Sequence, residues 1–171
     1  MSPFGNISDD DGLTDVLKAF PRNSEKLLRL VEGVMTSPGE LSRGEREAIA
    51  AAVSGHNDVG YCVFYHTLFS EVFSGPIEAT NQRLSPLLTY ARHLCLGAKE
   101  ELEAAFLAAR ESGWSERAIY EVVEVCGLFN YVNTIVRAAD LKVPRLRPAP
   151  LPTQEDLRGS YQAMADAIDS E

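Results

Sequence analysis

Three side chains that can transfer protons or act as nucleophiles lie close together in the first half of the chain: Glu47, Cys62 and His66. Cys62 and His66 are four residues apart, so in a helix they share one face, one turn from each other. Asp58 is placed to cap that helix, which puts Cys62 in the first turn, where the helix dipole favours a thiolate. A protonated His66 would lower the pKa of the thiol further. The three residues predict a proton-transfer set around a reactive cysteine.

The helices that position these residues follow from apolar periodicity and from the residues that begin and end helices. A helix over 42–54, with Ser42 and Glu45 at capping-box spacing, is followed by a turn and a helix over 59–73. Further helices are predicted at 14–20, 24–35, 85–96 with Pro86 in its first position, 99–111, and 115–139 with Ser115 as its cap. No stretch alternates with the period of a strand. The chain is therefore predicted to be all-α, with the 41–73 helix pair at its centre.

Changes in composition divide the chain into an N-terminal arm at 1–20, a helical domain at 21–142 and a proline-rich linker with an amphipathic helix at 143–171. The last helix is expected to start at Thr153. It can pack on its own domain or reach a neighbouring subunit, and the sequence favours neither. Wide apolar faces on several helices, together with this arm, predict a homo-oligomer.

Charge and cysteine content exclude several classes of protein. The net charge of −9 argues against nucleic acid or an anionic membrane surface as a partner. The acidic start lacks the pattern of a signal peptide and no apolar run is long enough to cross a bilayer, so we expect a cytoplasmic protein. Three cysteines without paired spacing argue against a disulfide scaffold. A zinc site made of Glu47, His56, Cys62 and His66 matches no standard spacing, so no metal or cofactor is predicted.

The segment 41–73 resembles the signature of the alkylhydroperoxidase D-like / carboxymuconolactone decarboxylase family, in particular its peroxidase-related branch. Members typically carry a glutamate on one helix and Cys-x-x-Cys-x-x-x-His at the start of the next. The glutamate falls on Glu47, the second cysteine on Cys62 and the histidine on His66, whereas Val59 stands where the first cysteine is usual. The resemblance extends over roughly 20–141, with similar patterns at 84–95, 111–125 and 128–141. It implies an AhpD-like helical fold with Glu47, Cys62 and His66 as catalytic residues.

The resemblance implies a peroxidase-related thiol enzyme, an antioxidant oxidoreductase acting on a small-molecule substrate. Cys62 would attack a peroxide and become a sulfenic acid while Glu47 and His66 carry protons. Because Val59 supplies no second thiol, an external thiol reductant or another cysteine would regenerate the enzyme. Two alternatives stay open. One is a non-redox acid–base enzyme (decarboxylase, lyase or isomerase type) acting on a small organic acid, with Glu47 and His66 as base and acid. The other is a catalytically idle homologue that binds a small molecule.

Overall fold

The computed structural model describes residues 2–169 of the 171-residue chain, with side chains as far as Ile168. The described part is helical and contains no strand, which confirms the predicted all-α class. A short 3₁₀ turn at Pro21–Asn23 precedes the second helix. The α-helices are α1 (Leu13–Ala19), α2 (Ser24–Thr36), α3 (Arg43–His56), α4 (Gly60–Ser74), α5 (Ile77–Leu96), α6 (Lys99–Glu111), α7 (Glu116–Ala139), α8 (Gln154–Leu157) and α9 (Ser160–Asp169).

Helices α3 and α4 pack closely against each other, and α3 also contacts α2, α5 and α7. Ser70 Oγ of α4 donates to the carbonyl oxygen of Gly44 in α3 at 2.8 Å. A Cβ at Gly44 would collide with Ser74 and Phe73 of α4, so only glycine allows this approach. The predicted capping box at the start of α3 is present, with Ser42 N–H donating to Glu45 Oε2 at 2.7 Å and Ser42 Oγ accepting from Glu45 N–H.

The hydrophobic core lies where α2, α3, α5 and α7 meet. Its fully buried members include Leu28, Met35, Ile49, Val53, Leu84, Leu87, Val122, Val125 and Phe129. A buried polar bond also joins two of these helices, because Ser54 Oγ of α3 donates to Asn133 Oδ1 of α7 at 3.1 Å. Of the predicted central pair, α3 therefore lies in the core and α4 packs mainly on α3.

Asp58 is not the N-cap of α4, and that prediction was wrong. Val59 occupies the N-cap position, and Asp58 has a left-handed backbone with φ of 55°. The N–H of Asp58 donates to the Gly55 carbonyl and the N–H of Val59 donates to the Ser54 carbonyl. These two bonds form a Schellman motif, in which Asp58 ends α3 and so cannot also begin α4.

Helix α5 starts earlier than predicted. The polar stretch expected to be a connector is helical from Ile77, and Pro86 lies inside the helix instead of at its first position. A proline there removes one helical hydrogen bond. The buried residues Thr80, Leu84, Leu87 and Ala91 nevertheless form one continuous stripe against the core, and their burial offsets that loss.

The C-terminal segment becomes helical after Thr153, as predicted, and begins with a capping box in which Thr153 N–H donates to Asp156 Oδ2 at 2.7 Å. The expected single helix is instead divided into α8 and α9 at Gly159, whose φ of 73° favours glycine. Helix α9 packs on α2 of the same chain and buries Tyr161, Ala165 and Ile168. The homo-oligomer stays a prediction. No helix in residues 2–169 is long and apolar enough to cross a membrane.

Candidate functional site

Glu47 of α3 and His66 of α4 lie in direct contact, as their assignment to one site requires. The carboxylate is fully buried and the imidazole is 7% exposed. His66 Nδ1 lies 2.7 Å from Glu47 Oε2, so the Nδ1–H donates to the carboxylate. A carboxylate on one ring nitrogen fixes the orientation and tautomer of the imidazole and leaves a lone pair on Nε2. The pair is built to take up or release a proton at Nε2.

Tyr161 and Arg43 complete the surroundings of the Glu47 carboxylate. The Tyr161 hydroxyl donates to it, lying 3.1 Å from Oε1 and 3.3 Å from Oε2. Arg43 Nε lies 3.5 Å from Oε1 as an ion-pair partner. Burial, and next the negative charge of Glu47, raise the pKa of the Tyr161 phenol well above its usual value, so the hydroxyl keeps its proton. A buried carboxylate is costly without such partners, and Glu47 has three.

Arg43 also holds α9 against the site. Its guanidinium lies over the Phe73 ring at 4.4 Å and over the Tyr161 ring at 5.4 Å from the centroids. Its Nη2 donates to Ser160 Oγ at 3.4 Å. One arginine therefore connects α3, the end of α4 and the start of α9, and these contacts keep the Tyr161 hydroxyl on the carboxylate.

Cys62 lies on the same helix as His66 but does not have the predicted low pKa. The thiol is 2% exposed, and burial raises its pKa to about 12. A change from 9 to about 12 corresponds to about 4 kcal/mol, whereas the positive end of a helix dipole contributes up to about 2 kcal/mol. The charge of a protonated His66 would be balanced by Glu47. The expected thiolate was therefore wrong for the unliganded site, because desolvation exceeds the dipole.

A cavity of about 320 Å³ lies beside these residues, a volume suited to a small molecule. Cys62, His66 and Tyr161 line it, together with Tyr61 and Tyr65 of α4. The remaining wall is mainly apolar and includes Leu13, Leu17, Leu27, Leu28, Val31, Phe69, Phe129, Val132 and Met164. Glu47 does not line the cavity. A molecule inside can therefore contact His66 and Cys62, whereas Glu47 lies behind the imidazole.

Helix α1 closes one side of the cavity. The Leu13 N–H at its start donates to the Tyr61 hydroxyl at 3.0 Å. Burial, the largest effect, raises the pKa of Tyr61 above its usual range, so this phenol is neutral near pH 7. The ring of Tyr61 packs on that of Tyr65, with centroids 4.9 Å apart. The N-terminal region, expected to be a loosely held arm, thus contributes part of the cavity wall.

Two solved structures share this architecture. One is from Ralstonia eutropha JMP134, named alkylhydroperoxidase AhpD core and uncharacterized peroxidase-related protein. It has a TM-score of 0.68 and 22% identity over 75% of this chain and 74% of that chain. The other, an uncharacterized peroxidase-related protein from Silicibacter sp. TM1040, has a TM-score of 0.66 and 25% identity over 77% of this chain and 76% of that chain. The chain has the AhpD-like fold. No family model and no curated protein matches the sequence.

The predicted resemblance is confirmed by these AhpD-like structures at the level of the fold. Within that fold Val59, at the position where the resemblance expects a cysteine, is the N-cap of α4 and is 5% exposed. Burial, and next the charge of Arg92, lower the pKa of His56, one residue of the zinc set that the sequence spacing argues against. No cluster of three or more potential metal ligands occurs in residues 2–169 of this AhpD-like chain.

Sequence reasoning missed the roles of Tyr161 and Arg43. Arg43 is four residues before Glu47, a spacing that already favours an ion pair on one helix. The sequence pattern puts Tyr161 on the apolar edge of the last helix, where its hydroxyl needs a polar partner once it is buried. No local signal identifies that partner, because Glu47 is 114 residues away in the sequence.

Proposed function

We propose that this protein is an enzyme that transfers a proton to or from a small, largely apolar molecule, with His66 as the catalytic residue and Glu47 as its positioning residue. The contact that carries the proposal is the 2.7 Å bond between His66 Nδ1 and the buried Glu47 carboxylate, at the wall of the cavity. A histidine with one nitrogen held by a carboxylate is a standard general base, because the carboxylate stabilises the imidazolium that forms.

The cavity chemistry limits the substrate class. Its wall is mainly hydrocarbon and aromatic, and its polar groups beside His66 and Cys62 are the tyrosine hydroxyls, Thr14 and the Asp15 carboxylate at the start of α1. Such a lining suits a carbonyl compound or small organic acid whose carbon skeleton is buried and whose oxygen accepts a hydrogen bond. His66 Nε2 would remove a proton from the carbon next to the carbonyl and return it to the product. Arg43 and the Tyr161 hydroxyl would hold the Glu47 carboxylate in place against the imidazole.

Peroxide reduction at Cys62 is the second candidate. It is favoured by the position of the Cys62 thiol, which lines the same cavity one turn from His66, and by the peroxidase-related names of the similar structures. At pH 7 a thiol with a pKa of about 12 is about one part in 100,000 thiolate, so His66 would have to take its proton as the sulfur attacks. This requirement places the peroxidase second.

Two assays on the same variants separate the candidates. The first follows deuterium incorporation by NMR into a panel of small ketones and keto acids in deuterated buffer, and the second follows consumption of an organic hydroperoxide with a dithiol reductant. If proton transfer is the function, His66→Gln should lose at least a hundredfold in the first assay while Cys62→Ala keeps most of the activity. His93→Gln, a half-buried histidine of α5, is the matched control.

The opposite pattern of results would identify the protein as a peroxidase that acts through Cys62. Hydroperoxide turnover that disappears in Cys62→Ala, with no deuterium exchange into any carbonyl compound, would refute the acid–base proposal. Exchange that survives His66→Gln in a folded protein would refute it as well, because the proposed base would then be absent. Circular dichroism of each variant checks that the helices are intact.

A further inference from the structure

The other two cysteines lie together, away from the cavity. Cys95 is near the end of α5 and Cys126 is in the middle of α7, and both are free thiols. Neither lines the cavity that contains Cys62. Cys126 is buried, whereas Cys95 is partly exposed to solvent. One thiol of this pair is therefore accessible and the other is protected.

Asn130 and Cys126 hold the sulfur of Cys95 from the same side. They are four residues apart on α7, so they share one face of that helix. The Cys126 thiol is a hydrogen-bond partner of Cys95 Sγ. Asn130 Nδ2 donates to the same sulfur at 3.9 Å. The Asn130 amide is oriented by Asn57, whose Nδ2 donates to Asn130 Oδ1 at 2.8 Å, so the NH₂ group faces the sulfur.

These contacts make the two thiols chemically unequal. The hydrogen bond from Cys126, with a smaller contribution from Asn130, lowers the pKa of Cys95 to about 7 against the opposing effect of burial. The pKa of Cys126 is raised, first because its proton is held in the bond to Cys95 and next because it is buried. Cys95 is therefore the thiol of the pair that ionises more readily. This is the division of roles in thiol pairs that react with peroxides.

We infer that Cys95 and Cys126 form a second reactive site, a thiol pair that a hydroperoxide oxidises reversibly to a disulfide between α5 and α7. The Cys95 thiolate attacks one peroxide oxygen and the O–O bond breaks. The sulfur becomes a sulfenic acid, and the leaving oxygen takes a proton from solvent and departs as alcohol or water. The Cys126 sulfur then attacks the Cys95 sulfur, the S–O bond breaks, and water leaves with the Cys126 proton. The two thiols are oxidised by two electrons and the peroxide is reduced.

The inference is independent of the chemistry proposed for His66. An external dithiol returns the pair to its reduced form through a mixed disulfide, and it attacks the exposed sulfur of Cys95 first. The reaction uses no residue that lines the cavity. Cys95 and Cys126 provide two thiols, whereas Cys62 has Val59 where a second cysteine would be expected.

Peptide mapping tests the pair directly, because trypsin places the three cysteines in separate peptides, 47–83, 93–99 and 118–137. The reduced full-length protein is treated with one equivalent of hydrogen peroxide at pH 7, free thiols are alkylated, and the digest is analysed without reduction. We expect a crosslink between 93–99 and 118–137 and an intact mass lower by two hydrogen atoms. Dithiothreitol should remove the crosslink.

Matched variants decide the outcome. Cys62→Ser should form the crosslink as the wild type does, and Cys95→Ser and Cys126→Ser should not. Asn130→Ala should slow oxidation severalfold at pH 7, because loss of a donor that lowers the Cys95 pKa would reduce its thiolate fraction. A crosslink that contains 47–83, oxidation of Cys95 to sulfinic acid without a crosslink, or no oxidation of the folded wild type would each overturn the inference.

Discussion

Replacing Tyr161 by phenylalanine tests the buried site most directly, because it removes one oxygen atom and leaves the ring. The hydroxyl makes one hydrogen bond, shared between the two Glu47 oxygens at 3.1 and 3.3 Å. Hydrogen bonds to charged groups contribute about 1.5–3 kcal/mol. Glu47 keeps His66 and Arg43 in the variant, so the loss should lie near the middle of that range. We expect the free energy of unfolding to fall by about 2 kcal/mol, a factor of about 30 in the folding equilibrium.

Urea denaturation followed by circular dichroism measures this change. The midpoint should fall while the slope stays the same, because the surface exposed on unfolding is unchanged. For a domain of this size the melting temperature should drop by about 4–8 °C. Tyr120→Phe is the control, since that side chain is 62% exposed and its hydroxyl lies in solvent. It should change stability by less than about 0.5 kcal/mol.

One result would refute the hydrogen bond between Tyr161 and Glu47. If Tyr161→Phe costs no more than the Tyr120→Phe control, the hydroxyl does not bond the carboxylate in solution. The assignment of α9 to the site would then fail. A change in the denaturant slope would instead show that α9 has detached in the variant, and the bond energy would have to be measured by a double-mutant cycle with Glu47→Gln.

Three further outcomes follow from the packing and charges. Iodoacetamide at pH 7 should alkylate Cys95 before Cys62 and Cys126, since the pKa is about 7 for Cys95, about 12 for Cys62 and raised for Cys126, and peptide mapping gives the order. Gly39→Ala should destabilise the protein by about 2 kcal/mol or more in urea, because its Cβ would collide with the ion pair of Arg46 and Glu121. Burial raises the pKa of Glu121, but Arg46 and two backbone N–H groups lower it by more, so the net pKa in the folded protein is below 4.5. The Glu121 carboxylate therefore stabilises the fold above about pH 4.5, and this stabilisation disappears as the pH falls through the folded pKa. The stability difference between wild type and Glu121→Gln should shrink accordingly in urea titrations from pH 6 to pH 3.

The controls for these three measurements differ. A methyl group added at Gly33 of α2 would meet open space, so Gly33→Ala should stabilise the helix by up to about 1 kcal/mol where Gly39→Ala destabilises. Early labelling of Cys62 would contradict its high pKa. A Glu121→Gln difference that is constant with pH would show that the folded and unfolded carboxyl groups titrate alike.

Local rules recovered the parts of the fold that depend on neighbouring residues. The capping boxes at Ser42 and Thr153 and the cap at Ser115 follow from residues within one helical turn, and all three are present. The contact of Glu47 with His66 was reached through the family resemblance. The AhpD-like fold itself was also reached through that resemblance, because no count of apolar positions gives a topology.

Other parts could not be predicted because a competing interaction decides them. Asp58 is a residue type that often caps helices, but its left-handed backbone forms the C-terminal end of α3 instead. The polar stretch before Pro86 is typical of a connector, and only the core contacts of α5 make it helical. The pKa of Cys62 depends on how deeply the folded chain buries the thiol. The position of Cys62 in the first turn of its helix does not reveal that burial. The hydroxyl of Tyr161 finds its acceptor only in the tertiary structure.

The contact between Tyr161 and Glu47 determines the order in which the parts of the site can form during synthesis. Tyr161 leaves the ribosome 114 residues after Glu47, which at 5–20 residues per second means roughly 6–23 s later. Helices form within microseconds, so α3 and α4 can pair long before the hydroxyl arrives. Until then the Glu47 carboxylate of the nascent chain is either exposed to water or buried without its hydrogen bond from Tyr161. Final closure of the core around Glu47 therefore waits for the synthesis of α9, and a chain that stops before residue 161 contains the helices without a finished site.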